Sequence, residues 1–264
     1  MSDFLQTMAA SSRARAATAR TDFQSSDFDQ PVVALALGAF DVIAEIKDRS
    51  PAEGELKSSN DTRQQRAQAY AAGGAAAISV LTEPSRFDGD LAHLAEVVEA
   101  VPSTPVMRKD FLVEPVQVLE ARQAGASGVL LIAAMLSDEK LGEMLACAWE
   151  HQMFVLLEAF DADDLRRSSL LLEDAYNRDR ADNAQLLIGV NTRDLRSLAV
   201  DTARLASLAP ALPAAHCVAE SGLRVSEDAA RVSAMGYKLA LVGTALMRSD
   251  DPAALIASMR EAGA

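Results

Sequence analysis

Short apolar runs alternate with longer amphipathic stretches along most of this chain. The runs are VIAEI (42–46), AAISVL (76–81), PVMRK (105–109), GVLLIAA (128–134), MFVLLEA (153–159), LLIGVN (186–191), HCVAES (216–221) and LALVGTA (239–245). Their starts lie about 23–34 residues apart, the length of one strand, one helix and two connections. Between them, apolar residues recur at three- and four-residue spacing with charges on the opposite face. That pattern predicts helices over 61–73, 91–101, 115–125, 138–152 and 226–236. DPAALIASMREAG closes the chain as a last helix, with Pro252 in its first turn. Gly73, Gly125 and Gly236 follow three of these patterns and suit helix C-caps.

Eight strands, each followed by a helix, make the count of an α/β protein of the (β/α)8 TIM-barrel type. The rival is an open doubly wound sheet, but no GxGxxG follows the first strand. Residues 1–41 then form an N-terminal helical extension and residues 42–264 the barrel, in a single domain overall. The segment 166–185, RRSSLLLEDAYNRDRADNAQ, is long and charged, and is expected as a solvated surface excursion.

Composition narrows the chemistry. Half of the 264 residues are hydrophobic and only 5% are aromatic, which favours helices packed on short strands. A net charge of −13 argues against nucleic-acid binding, which needs a basic stripe. It leaves room for a small anionic substrate in a locally cationic cleft. Cys147 and Cys217 are far apart, with no CxxC and only three histidines, so neither a zinc site nor a disulfide framework is expected. Both thiols read as small buried hydrophobes. No 18-residue apolar run and no signal-peptide core are present, so no membrane association and a cytoplasmic location are expected.

In such a barrel the reactive groups sit at the C-terminal ends of the strands. Read in order, those ends offer Glu45, Lys47 and Ser50; Thr82 and Glu83; Lys109; an apolar wall with Leu131; Glu158; Asn191 and Arg193; Glu220, Ser221 and Gly222; and Gly243 and Thr244. Ile43, Glu45 and Lys47 share one strand face, so two charges point the way a core residue would. A buried unpaired charge is costly. Either the two form a structural pair or they line a site. Charges at six strand ends together favour a site for acid–base work. AESG and VGTAL put glycines and hydroxyls after strands seven and eight, where barrels frequently bind phosphate.

VIAEIKDRSP, YAAGGAAAISVLTEPSRFDG, PVMRKDFLVEPVQVLEARQAGASGVLLI, LIGVNTRDL and VAESGL…LALVGTALMR, in that order, closely resemble the indole-3-glycerol-phosphate synthase family of tryptophan biosynthesis. The resemblance implies a (β/α)8 barrel with an N-terminal helical extension, acting as a carboxy-lyase without metal or organic cofactor. It implies ring closure, decarboxylation and dehydration of 1-(2-carboxyphenylamino)-1-deoxyribulose 5-phosphate, a phosphorylated small molecule. Lys109 resembles the acid that protonates the carbonyl oxygen. Glu158 and Glu45 resemble the carboxylates that handle later proton steps. Lys47 resembles the lysine near the phosphate and the leaving hydroxyl; either lysine could donate in dehydration. Asn191 and Glu220 resemble positioning and relay residues. Arg193 and Ser50 look placed for the substrate carboxylate, and Ser221, Gly222, Gly243 and Thr244 for its phosphate. Phe87, Phe111 and Leu131 resemble the wall against the anthranilate ring. The resemblance also allows a partner among the tryptophan-pathway enzymes.

The chain departs from the family at Phe160, where His is usual beside the strand-five glutamate, at Ala52 for Ser, and at Thr244 for Ser. These departures suggest a divergent member, such as a second copy serving a specialised pathway built on tryptophan. Two alternatives stand beside the lyase. A phosphate-binding sugar isomerase would use a Cys and Asp pair. A non-catalytic barrel would be expected to lose catalytic charges first, and here Lys47, Lys109 and Glu158 are all kept. Residues 50–57, with Pro51 and Gly54, are expected as a flap over the site.

Overall fold

The computed structural model describes residues 3–50, 54–56, 61–193, 200, 201 and 203–264. The eight apolar runs are the barrel strands: β1 (Asp41–Ile46), β2 (Ala77–Leu81), β3 (Val106–Lys109), β4 (Gly128–Ile132), β5 (Phe154–Ala159), β6 (Leu186–Asn191), β7 (His216–Glu220) and β8 (Leu239–Val242). All pairings within the barrel are parallel, and β1 pairs with both β2 and β8, closing it; Arg49–Ser50 and Gly54–Glu55 form a separate small antiparallel pair. Parallel strands covered on both faces read as continuous apolar runs, which is why the pattern showed them so plainly. Inside the barrel small residues answer large ones. Gly128 of β4 faces its register partner Phe154, whose ring lies 2.5 Å from where a Cβ would stand.

The helices are α1 (Asp3–Ala16), α2 (Arg63–Ala72), α3 (Leu91–Ala100), α4 (Pro115–Gln123), α5 (Asp138–Glu150), α6 (Ala162–Leu171), α7 (Ala175–Asp182), α8 (Ala203–Leu208), α9 (Ser226–Ala234), α10 (Thr244–Arg248) and α11 (Pro252–Gly263). Thr62 caps α2 by accepting from the Gln65 amide at 3.2 Å, and Ser137 and Asp161 cap α5 and α6 in the same way. Gly125 and Gly236 take the left-handed conformation expected after a helix, with φ of +87° and +103°. Gly73 does not: its φ is −73°, and the left-handed residue is Gly74. Gly73 answers a different need, since a Cβ there would stand 2.7 Å from the Ala253 carbonyl oxygen of α11. The charged 166–185 segment lies largely at the surface, as expected, and is mostly helical. It holds the end of α6 and all of α7, whose Ala181 is buried.

Residues 3–40 are an arm on the barrel. Leu5, Met8 and Ala9 of α1 join the main apolar core. Gln117 Nε2 of α4 donates to Ser12 Oγ at 2.8 Å, and Arg122 donates to the carbonyls of Phe28 (2.6 Å) and Gln30 (2.5 Å). The Val33 amide donates to Ser127 Oγ, just before β4. The arm then enters β1 at Asp41, one residue before the expected boundary, and Arg260 of α11 holds Asp41 at 2.9 Å.

Candidate active site

Strand alternation and closure bring the strand-end charges to one mouth. A cavity of about 770 Å³ there is lined by Glu45, Lys47, Lys109, Glu158, Asn191, Arg193, Glu220, Ser221, Gly222, Gly243 and Thr244, with Phe87 and Phe111 on its apolar side. Lys47 Nζ lies 2.6 Å from Glu45 Oε1. Lys109 Nζ lies between two carboxylates, 3.4 Å from Glu158 Oε2 and 3.5 Å from Glu220 Oε2. Burial works against the Lys109 charge, but Glu158, Glu220 and Glu45 outweigh it and raise its pKa. Burial likewise opposes the Glu45 charge, but Lys47, Lys109 and Arg193 overcome it and hold that carboxyl below its ordinary range. Glu220 goes the other way. Burial first, then the neighbouring Glu158 charge, push its pKa well up against the pull of Lys109.

Two glycines make room for these charges. A Cβ on Gly243 would run into the Glu45 carboxylate and come within 2.8 Å of Lys47 Nζ, and a Cβ on Gly189 would overlap Glu220 Oε1. Asn191 Oδ1 accepts from the Arg193 amide (2.9 Å) and from Ser221 Oγ (3.0 Å). That bond, with Thr192 Oγ1 donating to the Ser221 carbonyl at 3.1 Å, holds Ser221 at φ +69° ahead of Gly222 at φ +83°. Left-handed backbone is unfavourable for a serine, so the turn after β7 is held there by its neighbours.

The apolar wall corrects one expectation. Leu130 and Ile132 line the cavity, and Leu131 does not; it is fully buried among the core residues. Successive strand residues face opposite ways, so a shift of one position exchanges cavity for core. Thr82 and Glu83 are also absent from the lining. Thr82 Oγ1 donates to Asp110, and Glu83 caps the single-turn helix Pro84–Phe87. Phe160 does not line the cavity either, so the family departure there lies outside the site wall. Ala52 and the Ser50 side chain lie outside the described residues, as do residues 51–53 and 57 of the expected flap.

Several lining residues were not expected. Phe4 of α1 reaches the mouth and meets Phe111 edge-on, with ring centroids 5.8 Å apart. Arg224 and Arg248 line the cavity near the AESG and VGTAL ends, and their places two positions past those motifs were the available signal. Burial pushes the Cys147 thiol up to about 11 and the Cys217 thiol up to about 12. Neither cysteine lines the cavity, which removes the support for a Cys-dependent isomerase. Among the described residues, no cluster of His, Cys, Asp or Glu could hold a metal, and no helix is long and apolar enough to cross a membrane.

Fold and site together define a (β/α)8-barrel enzyme with lysines and carboxylates poised for acid–base chemistry beside glycine-rich turns. The indole-3-glycerol phosphate synthase family model matches residues 5–259, and the chain belongs to that family. It is 42% identical over 243 residues to indole-3-glycerol phosphate synthase of Rhizorhabdus wittichii, covering 92% of this chain and 85% of that one. It is 40% identical over 228 residues to that of Opitutus terrae (84% and 81%), and 43% identical over 226 residues to that of Methanopyrus kandleri (84% and 83%). Among solved structures, 3-hexulose-6-phosphate synthase from Salmonella typhimurium superposes with a TM-score of 0.61 at 15% identity, covering 84% of this chain and 98% of that one. That likeness is one of fold.

Proposed function

We propose that this chain closes the indole ring, converting 1-(2-carboxyphenylamino)-1-deoxyribulose 5-phosphate into indole-3-glycerol phosphate, CO2 and water. The observation that carries this reading is the Lys109 ammonium, held between Glu158 and Glu220 at the floor of a cavity with an apolar wall on one side. The anthranilate ring packs on Phe111, Phe87, Leu130 and Ile132. Its carboxylate meets Arg193, a guanidinium suited to a planar anion. The phosphate lies on the Ser221–Gly222 and Gly243–Thr244 turns, whose backbone N–H groups suit an anion.

In this reading Lys109 donates to the carbonyl oxygen as the aryl carbon attacks, a step that general acid catalysis speeds by about 10²–10⁴-fold. Glu158 takes the carbon-bound proton in the later dehydration. Lys47, paired with Glu45, stands nearest the phosphate and the leaving hydroxyl, and Asn191 keeps the β7 turn in place. The setting is cytoplasmic, because a phosphorylated anion does not pass a bilayer.

The test is an indole-fluorescence assay on the purified protein with the carboxyphenylamino-deoxyribulose phosphate, with Lys109→Ala as control. Turnover in the wild type that falls by about 10²–10⁴-fold in the variant is the expected result. A wild-type protein that binds the substrate without forming indole would overturn the reading.

A further inference from the structure

We propose that Glu220 enters each catalytic cycle as a neutral carboxylic acid and delivers, through Lys109, the one proton that the reaction consumes. This rests on the ring-closing reaction proposed above.

The proton balance of that reaction sets the need. As the aryl carbon bonds to the carbonyl carbon, the carbonyl oxygen takes a proton. The carboxylate then leaves as CO2, its bonding electrons returning to the ring. The new hydroxyl leaves as water with a second proton, while one C–H proton goes to a base. Two protons enter and one leaves, so a substrate carrying both carboxylate and phosphate takes up one proton per turnover. Some group must hold that proton before chemistry begins.

Among the described residues, the Glu158–Glu220 pair is the place for it. Glu158 and Glu220 share a single ammonium, Lys109, whereas Glu45 has its own partner in Lys47 and feels Arg193 as well. Glu220 is 1% exposed, and neither of its oxygens has a hydrogen-bond partner among the described residues. A bare carboxylate in that position leaves its full desolvation cost unpaid by hydrogen bonds. The groups facing it agree. β1 brings Glu45, β3 Lys109 and β5 Glu158; β6 brings the bare backbone of Gly189; and β8 pairs the apolar Leu241 in register with it. Glu158 is the other carboxylate on that ammonium, and its negative charge disfavours a second one on Glu220. Once Lys109 has given its proton to the carbonyl oxygen, the Glu220 O–H bond breaks toward the Lys109 amine. The ammonium is restored, and Glu220 is left as the anion until it takes a proton from solvent.

The experiment is infrared spectroscopy of the ligand-free protein against Glu220→Gln, with pH–rate profiles of both. The wild type is expected to show the carbonyl stretch of a protonated carboxylic acid at neutral pH, lost in Glu220→Gln. The variant is expected to bind substrate within about threefold, to turn over about 10²-fold more slowly, and to lose the alkaline limb of the wild-type kcat profile. No such band in the wild type, a band that survives Glu220→Gln, or a variant with the wild-type rate would overturn the proposal. Should the variant not fold, titration of the wild-type band decides, since it must fade with the alkaline loss of kcat. A wild type with the band but without indole formation would overturn the reaction, and with it the proton's destination. Indole formation without the band would overturn the role of Glu220 alone.

Discussion

Two buried charge clusters lie one residue apart on β3, and they are built differently. Turned away from Lys109, Arg108 and Asp110 are saturated, although Asp110, just past the end of β3, still borders the cavity. Asp110 accepts from Arg15 (2.7 Å), the Phe111 amide (2.8 Å), Thr82 (3.0 Å) and Arg108 (3.2 Å). Arg108 donates in addition to Thr82 (3.1 Å), the Gln117 carbonyl (2.8 Å) and Glu120 (3.1 Å). On the inner face, Lys109 is held only at 3.4 and 3.5 Å, and Glu220 has no hydrogen bond among the described residues. Charges that hold a fold together are given all their partners. In the proposed reaction, Lys109 and Glu220 are the charges left with capacity to spare, and the fold bears the cost.

The comparison can be broken by exchanging the outcomes of its two sides. Asp110→Ala takes one of two carboxylates from the buried Arg108 and the nearer carboxylate partner from Arg15, and is expected to cost about 3–5 kcal/mol of stability, read by denaturant unfolding. Lys109→Ala is expected to remove turnover with a smaller stability loss. Equal destabilisation by the two would end the distinction. The apolar wall gives a second pair. Leu131→Ala is expected to cost about 2–5 kcal/mol with KM unchanged, whereas Leu130→Ala raises KM. Gly243→Ala, which pushes a methyl into the Glu45–Lys47 pair, is expected to cost about 1–3 kcal/mol and to lower kcat.

The smallest effect tests the sign of the Glu220 shift. Its pKa is higher folded than unfolded, so the folded state binds that proton more tightly. Its contribution is full below the ordinary carboxylate range and is lost as pH rises toward the folded value. Glu220→Gln cannot ionise. It should match the wild type in acid and gain on it with rising pH, by at most about 1.4 kcal/mol per pH unit. Urea unfolding of both proteins across that range reads the gap; a gap that closes as pH rises would reverse the assignment.

The strands were legible because a parallel barrel strand is apolar on both faces, and Glu45, Lys47, Lys109, Glu158 and Glu220 stood out as charges at the ends of such runs. The face of β4 was not legible. GVLLI contains no polar residue to mark which positions point inward, so Leu131 and Leu130 are indistinguishable until the register is known. Gly73 and Gly74 are adjacent, and only packing against α11 decides which one turns the chain. Phe4 carries no local signal, because its place at the mouth comes from docking of α1 against a distant part of the chain. Gly189 gave none either: its importance is the space it leaves for Glu220.

The clasp between Asp41 and Arg260 joins residues 219 positions apart, beside the seam where β1 meets β8. Chain emerging from a ribosome therefore makes its first strand long before the partner that seals it. Loop closure over such a span is entropically unfavourable until the enclosed elements have already condensed. During that interval β1 has one edge without its final neighbour, and an open strand edge invites pairing with other chains. Yield of soluble protein during synthesis should thus depend on how quickly α11 arrives to lock the seam, and weakening the clasp should show first as aggregation in the cell and only second as lost stability in the tube.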